Sequence, residues 1–329
     1  MRRLALVALG LAVSAVALFL AVRSVDLGET WGLLGRTDLP LLALTLVVIA
    51  GQVLIRTLRW RMLLRPFLIA HRPGLPRLIP VLLVGYLGNS VLPARLGEPV
   101  RAVLVARRER VGVPEALASV YLERLIDVAV LAVLVLVAAA LVGAPAWIVQ
   151  VAAVAAAGGV LLLGILAVAN PASLVAMAHR LPVVGGSRRL SVAVEMVTRF
   201  AAGMGGRGRV AAIFGAAALS GVAWALDATT FWLVGRSLGL ELAPAEAMLI
   251  AGVTVLVTAV PSAPGYVGTF ELAAVSVATA LGFPQSAALG LALLAHAVAL
   301  MPLTVAGGVS LVAMGLSVGD VTRSAEAAT

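Results

Sequence analysis

The chain has 329 residues, of which 62% are apolar and 12% charged, and its formal net charge is +9. A soluble domain carries about a quarter charged residues, so the composition excludes an ordinary water-soluble fold and points to a polytopic membrane protein. There is no cysteine, which removes disulfides, thiol catalysis and thiolate metal sites. The histidines, His71, His179 and His296, are too scattered to suggest a metal centre.

Arg2 and Arg3 precede an apolar run from Leu4 to Val22. A signal peptide has an apolar stretch of about 7 to 15 residues and a small-residue exit. This run has 19 residues and leaves through Val22-Arg23-Ser24, which fits an uncleaved first span. Further spans are expected at Leu39–Leu58, Ala116–Val142, Ala146–Ala169, Val210–Val234 and Ala287–Leu316. Each is long enough to cross about 30 Å of hydrocarbon. The last is overlong and contains Pro302, so a kink or two shorter helices are expected there.

Two other apolar regions, Leu78–Ala106 and Ala245–Leu281, are broken near their middles by proline-rich, charge-bearing stretches. Each half is short for a crossing, and both regions read as re-entrant helical hairpins. Within a bilayer, non-helical backbone survives only where protein buries it or where it lines a wet cavity.

Charge in the connecting segments supports this map. Arg56, Arg59, Arg61, Arg65, Arg72 and Arg77 come with no acid, Arg107, Arg108 and Arg110 follow the first hairpin, and the 170–209 segment holds six Arg against Glu195 alone. The 23–38 and 236–246 segments carry more acid than base. The positive-inside rule is met if the N-terminus is cytoplasmic, the first hairpin enters from the cytoplasm and the second from outside. The basic excess is therefore a topology signal, with anionic lipid headgroups as a further contact; nucleic acid is not an expected partner. One transmembrane domain is expected over 1–329, with a first half at 1–169, a cytoplasmic basic loop at 170–209 and a second half at 210–329. Pro93-x-x-x-Gly97 and Pro264-x-x-x-Gly268 share a spacing and lie 171 residues apart. An inverted repeat with paired broken helices, the ground plan of many transporters, would explain this.

The ionisable residues gather at the breaks. Arg95, Glu98 and Arg101 sit beside amides freed by Pro93, Gly97 and Pro99, and guanidinium groups suit phosphate. An ion-pair cluster that merely locks the hairpin is the structural alternative. Glu123 and Asp127 are one helical turn apart, with Arg124 able to reach Asp127; they either face inward or snorkel to the interface. Pro264, Gly265, Gly268 and Glu271 offer free amides and half-helix ends. Asp227 lies well inside its span and needs an Arg partner from the first half. His296 reads as a residue hydrogen-bonded to a neighbouring helix, with a proton relay as the alternative. No Walker A, HExxH or nucleophile–His–acid pattern occurs, and neither a cofactor nor a metal is expected.

Four ordered blocks carry a resemblance: Arg59-Trp60; Asn89, Leu92-Pro93, Arg95, Gly97-Glu98 and Arg101; Glu123-Arg124 and Asp127; and Pro261, Pro264-Gly265, Gly268 and Glu271. With these the sequence resembles the lysylphosphatidylglycerol synthase transmembrane domain family, also called the flippase-like domain, over nearly the whole chain. In one kind of family member such a domain moves an aminoacylated phospholipid between leaflets, while a separate cytosolic domain performs aminoacyl transfer. Stand-alone members are associated with isoprenoid, hopanoid or glycolipid pathways as well.

The resemblance implies an inner-membrane lipid translocase with no enzymatic activity of its own. Asn89, Arg95, Glu98, Arg101, Glu123, Arg124, Asp127, Pro264, Gly265, Gly268 and Glu271 would form the site for an anionic phospholipid or lipid-linked substrate. Asp227 would serve coupling, with Glu98, Asp127 and Glu271 as further candidate proton carriers. The rival expectation is a membrane subunit or intramembrane enzyme of lipid or glycolipid synthesis, working with a separate soluble transferase.

Overall fold

The computed structural model describes residues 2–68, 73–92, 96–168, 206–258, 262–317 and 319–322. Arg95, Pro93, Pro261, His71, His179 and most of the 170–209 segment lie outside the described residues. The described elements are helical: α1 (Arg2–Val22), α2 (Leu27–Leu34), α3 (Leu39–Leu64), α4 (Leu75–Val91), α5 (Gly97–Glu109), α6 (Val113–Leu141), α7 (Ala146–Val168), α8 (Gly206–Ser237), α9 (Pro244–Val257), α10 (Thr269–Ala280) and α11 (Gln285–Ala313). Five of these, α3, α6, α7, α8 and α11, are long and apolar enough to cross a membrane, and α1 with α2 forms a pair bent by 88°. Side chains such as Val154, Phe214, Leu141 and Val312 stand well exposed on the bundle. On a soluble monomer such an apolar surface would be a liability; here it faces lipid. The protein is an all-α, multi-pass membrane bundle.

The local reasons are plain in the sequence. Asp38 caps α3 by accepting the amide of Leu41 at 3.1 Å, and Pro40 occupies the first turn, where its missing N–H costs nothing. Asp26 caps α2 in the same way; this short helix lies where the sequence suggested a loop, its eight residues being too few to show a period. Pro302 sits inside α11, which continues through it as one helix.

Both proline-broken regions are pairs of short helices packed on each other, α4 with α5 and α9 with α10. In the first, two glycines let the backbones touch: a Cβ on Gly88 would come within 2.7 Å of the Gly97 Cα. Asn89 Oδ1 accepts the Gly97 amide at 3.0 Å, which ties off one free donor at the start of α5. In the second, Pro264–Tyr266 forms a 3-10 turn with Gly265 and Tyr266 both at positive φ. α1 lies across this turn, with the Ala263 amide donating to Ser14 Oγ at 2.8 Å. A Cβ on Gly268 would meet Leu18 N at 3.0 Å, so only glycine admits α1 this closely.

The two halves share one plan. Shifted by 171 residues, the bounds of α3, α4, α5 and α6 become 210–235, 246–262, 268–280 and 284–312, close to those of α8, α9, α10 and α11. Arg56 of α3 pairs with Asp227 of α8, its own counterpart 171 residues on. Gln52 meets Thr230 and Arg59 meets Ser220, so α3 and α8 cross antiparallel. Equivalent helices running in opposite directions place the pseudo-two-fold axis across the helices, which is the geometry of an inverted repeat. The packing obeys it: α4 lies against α11, and α9 against α6. Among the described residues two hydrophobic cores result, one around Trp60, Leu82, Val100 and Ile126, the other around Trp224, Ile250, Phe270 and Leu289.

Candidate functional site

Charged side chains converge where α3, α5 and α6 meet. Arg59 is 1% exposed and donates to Glu123 Oε1 at 2.8 Å, to Asp127 through both terminal nitrogens, and to Ser220 Oγ at 2.7 Å. Arg101 reaches Glu123 Oε2 at 3.0 Å and lies 4.9 Å from the centre of the Trp60 ring. Trp60 in turn donates its indole N–H to Ser119 Oγ at 3.1 Å. Arg124 closes the group, 2.8 Å from Glu123 Oε1, 3.4 Å from Asp127 Oδ2 and 3.3 Å from Glu98 Oε1. Among the described residues, three guanidinium groups thus face three carboxylates, and their formal charges cancel. That balance is what makes burial tolerable, since an unpaired ion in this setting costs several kcal/mol.

The members differ in access. Arg59, Arg101, Glu123 and Asp127 are all buried, whereas the side chains of Arg124 and Glu98 keep 27% and 18% of their surface. The Arg124–Glu98 contact between α6 and α5 is therefore the accessible edge of the network. Arg101, which the sequence suggested for a phosphate, is committed to Glu123 and Trp60. Arg59 was overlooked as a site residue; the rule that an intramembrane charge needs a partner, applied to Asp227, identifies it equally well.

Beside the network, a cavity of about 90 Å³ is lined by Gln52, Arg56, Tyr86, Asp227, Thr230, Ala299 and Leu303, among others. That is room for a few waters. Arg56 is paired with Asp227, and its guanidinium lies 5.0 Å from the Trp224 ring centre. Tyr86 is within electrostatic reach of both Arg56 and Arg124, which links cavity and network.

The second hairpin holds its own cluster. Glu271, 3% exposed, accepts the Gly268 amide on Oε2 at 2.6 Å and meets His296 Nδ1 on Oε1 at 2.5 Å. His296 Nε2 meets the Gly265 carbonyl at 2.7 Å, and its ring stacks on Phe270 with centroids 4.2 Å apart. The turn faces the first hairpin: a Cβ on Gly265 would lie 3.8 Å from the Ser90 carbonyl, and Thr304 donates to Ser90 Oγ at 3.0 Å.

Of the residues singled out in the sequence, Glu98, Arg101, Glu123, Arg124 and Asp127 thus come together, and Asn89 braces their hairpin. Asp227 joins Arg56 in the cavity next door. Pro264, Gly265, Gly268 and Glu271 form the second cluster, with His296 added.

Residues 7–307 match the family described as the lysylphosphatidylglycerol synthase TM region. The chain belongs to that family. Among curated proteins it is similar to the Glycosyltransferase AglD of Haloferax volcanii, with 30% identity over an alignment that covers 99% of this chain and 57% of the relative. The chain thus spans little more than half the length of that relative. In this member of the lysylphosphatidylglycerol synthase TM family, the charge network ties the first hairpin to α3 and α6, the cavity lies between α3, α4, α8 and α11, and the His296 cluster ties the second hairpin to α11.

Proposed function

We propose that this protein is a lipid translocase of the cell membrane, moving a phosphate-containing lipid between leaflets, with its N-terminus in the cytoplasm. The observation that carries the reading is the meeting of two oppositely directed, broken hairpins beside a neutralised charge network. Broken helices at a repeat interface are how alternating-access carriers build a midplane site. Neutral pairing lets the closed bundle hold its charges, and exchange of one carboxylate for a phosphate keeps the count balanced. Arg124 is the group positioned for that exchange: its Glu98 contact is long and accessible, and a headgroup phosphate can replace Glu98 in a two-pronged grip. Arg95, three residues before Glu98 in the sequence, joins it in this reading. Arg59, Arg101, Glu123 and Asp127 then act as the rigid backing that holds Arg124 in place.

The test is lipid scrambling in liposomes that contain a headgroup-labelled anionic phospholipid. Wild-type protein should raise the rate above empty liposomes. Arg124→Ala and Arg95→Ala should each lower it by about 10- to 100-fold, the equivalent of one charge-assisted contact of 1.5–3 kcal/mol. Wild-type rates equal to those of empty liposomes for several anionic lipids would overturn the proposal.

A second reading is favoured by the relative named as a glycosyltransferase. Here the bundle presents a lipid-linked substrate to a soluble transferase, and the hairpins hold the lipid instead of moving it. Turnover of a labelled polyprenyl-phosphate sugar that requires this protein plus a separate transferase, without scrambling, would select that reading.

A further inference from the structure

The His296 cluster has a hydrogen count that fixes its protonation. The Gly265 carbonyl can only accept, so His296 Nε2, 2.7 Å away, must carry a hydrogen. Nδ1 faces Glu271 Oε1 at 2.5 Å, and Oε2 is already taken by the Gly268 amide at 2.6 Å. A second hydrogen must therefore lie between Nδ1 and Oε1, whether it rides on the imidazolium or on the carboxyl. The unit holds one proton more than a neutral imidazole beside a carboxylate, and its net charge is zero.

Loss of that proton leaves a single hydrogen for two acceptors. If it stays on Nε2, the bare Nδ1 faces a carboxylate oxygen; if it moves to Nδ1, the bare Nε2 faces a carbonyl. Either way a contact of 2.7 Å or less turns repulsive, and a negative charge is left in a buried site. The residues at stake are the hinge of the second hairpin. Gly265 is in the 3-10 turn, Gly268 begins α10, and His296 belongs to the long α11.

We propose that Glu271 and His296 form a proton-binding site that latches the second hairpin, so that proton release opens its turn and proton uptake closes it. As a coupling site this rests on the translocase reading; as a proton latch it does not. The reaction is the loss of one proton from the imidazolium–carboxylate pair to water, leaving neutral imidazole and carboxylate.

Among the described residues, His296 is the partner that faces the Glu271 carboxylate, and the charges nearby have partners of their own. α8 and α3 present Asp227 and Arg56 to the same face of α11, at the cavity that reaches Ala299, and these two pair with each other. α4 presents Tyr86 there, and the turn itself carries Tyr266. α1 has no ionisable residue between Leu4 and Val22. α9 carries Glu246, which caps its own first turn by accepting the Ala243 amide. α2 meets α11 at Ser286, through Thr30; its own acid is Glu29.

Two measurements test the latch. In proteoliposomes with a trapped pH dye and a headgroup-labelled phosphatidylglycerol, a gradient of one pH unit should drive the wild type to a lipid asymmetry approaching about tenfold, since one unit is about 1.36 kcal/mol per proton. His296→Gln, which removes the imidazole, should lose both the asymmetry and the proton flux. Glu271→Gln should lose the asymmetry as well. Scrambling by wild type with neither asymmetry nor proton flux would sink the latch and leave the translocase standing.

The second measurement needs no transport. The chain has no cysteine, so Val267→Cys, at an exposed position of the turn, can be labelled alone and compared with Glu241→Cys on the 238–243 loop. The labelling ratio should rise several-fold as the pH is raised in the otherwise wild-type protein and stay flat when His296→Gln and Glu271→Gln are combined. A ratio that is flat in the wild type overturns the latch even if no lipid moves.

Discussion

Replacing Arg59 by Met should destabilise the fold more than any other single change in the charge network. Arg59 joins three helices, since it lies on α3 and holds Glu123 and Asp127 of α6 and Ser220 of α8. Its removal leaves Glu98, Glu123 and Asp127 with two guanidinium groups in place of three. One buried carboxylate is then uncompensated, which costs about 3–5 kcal/mol. Methionine fills most of the volume, so cavity formation adds little.

The decisive comparison adds Asp127→Asn. That change restores neutrality, and the double variant should be at least about 1.5 kcal/mol more stable than the sum of the two single losses implies, within the coupling range of contacting residues. The assay is reversible unfolding in mixed micelles, titrated with a denaturing detergent and followed by tryptophan fluorescence, with all four proteins measured together. An Arg59→Met variant within about 0.5 kcal/mol of wild type would refute the claim that pairing makes these charges tolerable. Strict additivity would refute it too.

Gly97→Ala should unsettle the first hairpin by about 1–3 kcal/mol, because the new methyl would sit 2.6 Å from the Asn89 amide. Gly158→Ala on α7, where nothing lies within 4 Å, should leave thermal stability unchanged or slightly raised in the same melting assay. Arg56→Asp should reduce the folded fraction seen by size-exclusion chromatography, and adding Asp227→Arg should recover it, since the two positions face each other across the pseudo-two-fold axis. Ser14→Ala should cost about 1 kcal/mol through the lost contact to the Ala263 amide, seen as earlier proteolytic cleavage within the second hairpin.

Much of this architecture was legible in the residues. The long spans followed from apolar length, and the hairpins from proline and glycine set among charges. The repeat was visible only as the shared spacing at Pro93 and Pro264, because a bilayer demands apolar character over sequence identity and erases most of the likeness between halves. Its full register, over four helices, appeared with the helix bounds. The partner of Asp227 was expected on the first half but could not be chosen among its arginines; antiparallel crossing of α3 and α8 selects Arg56. His296 was expected to bond a neighbouring helix, and it does so through Glu271 of α10. Its second partner was not foreseeable, since a backbone carbonyl has no signature in sequence. Nor was the role of α1 against the second hairpin, which depends on the close approach at Gly10 and Gly268.

The exchange of partners between halves sets a clock on biogenesis. α4 emerges from the ribosome early, yet the helix that covers it, α11, begins at Gln285, almost two hundred residues after Val91. At a synthesis rate of about 5–20 residues per second, roughly 10–40 s pass before that cover exists. Arg56 waits nearly as long for Asp227. During this interval the newborn first half has a bare flank and an unmatched cation inside the membrane, the kind of surface that insertases and membrane chaperones attend.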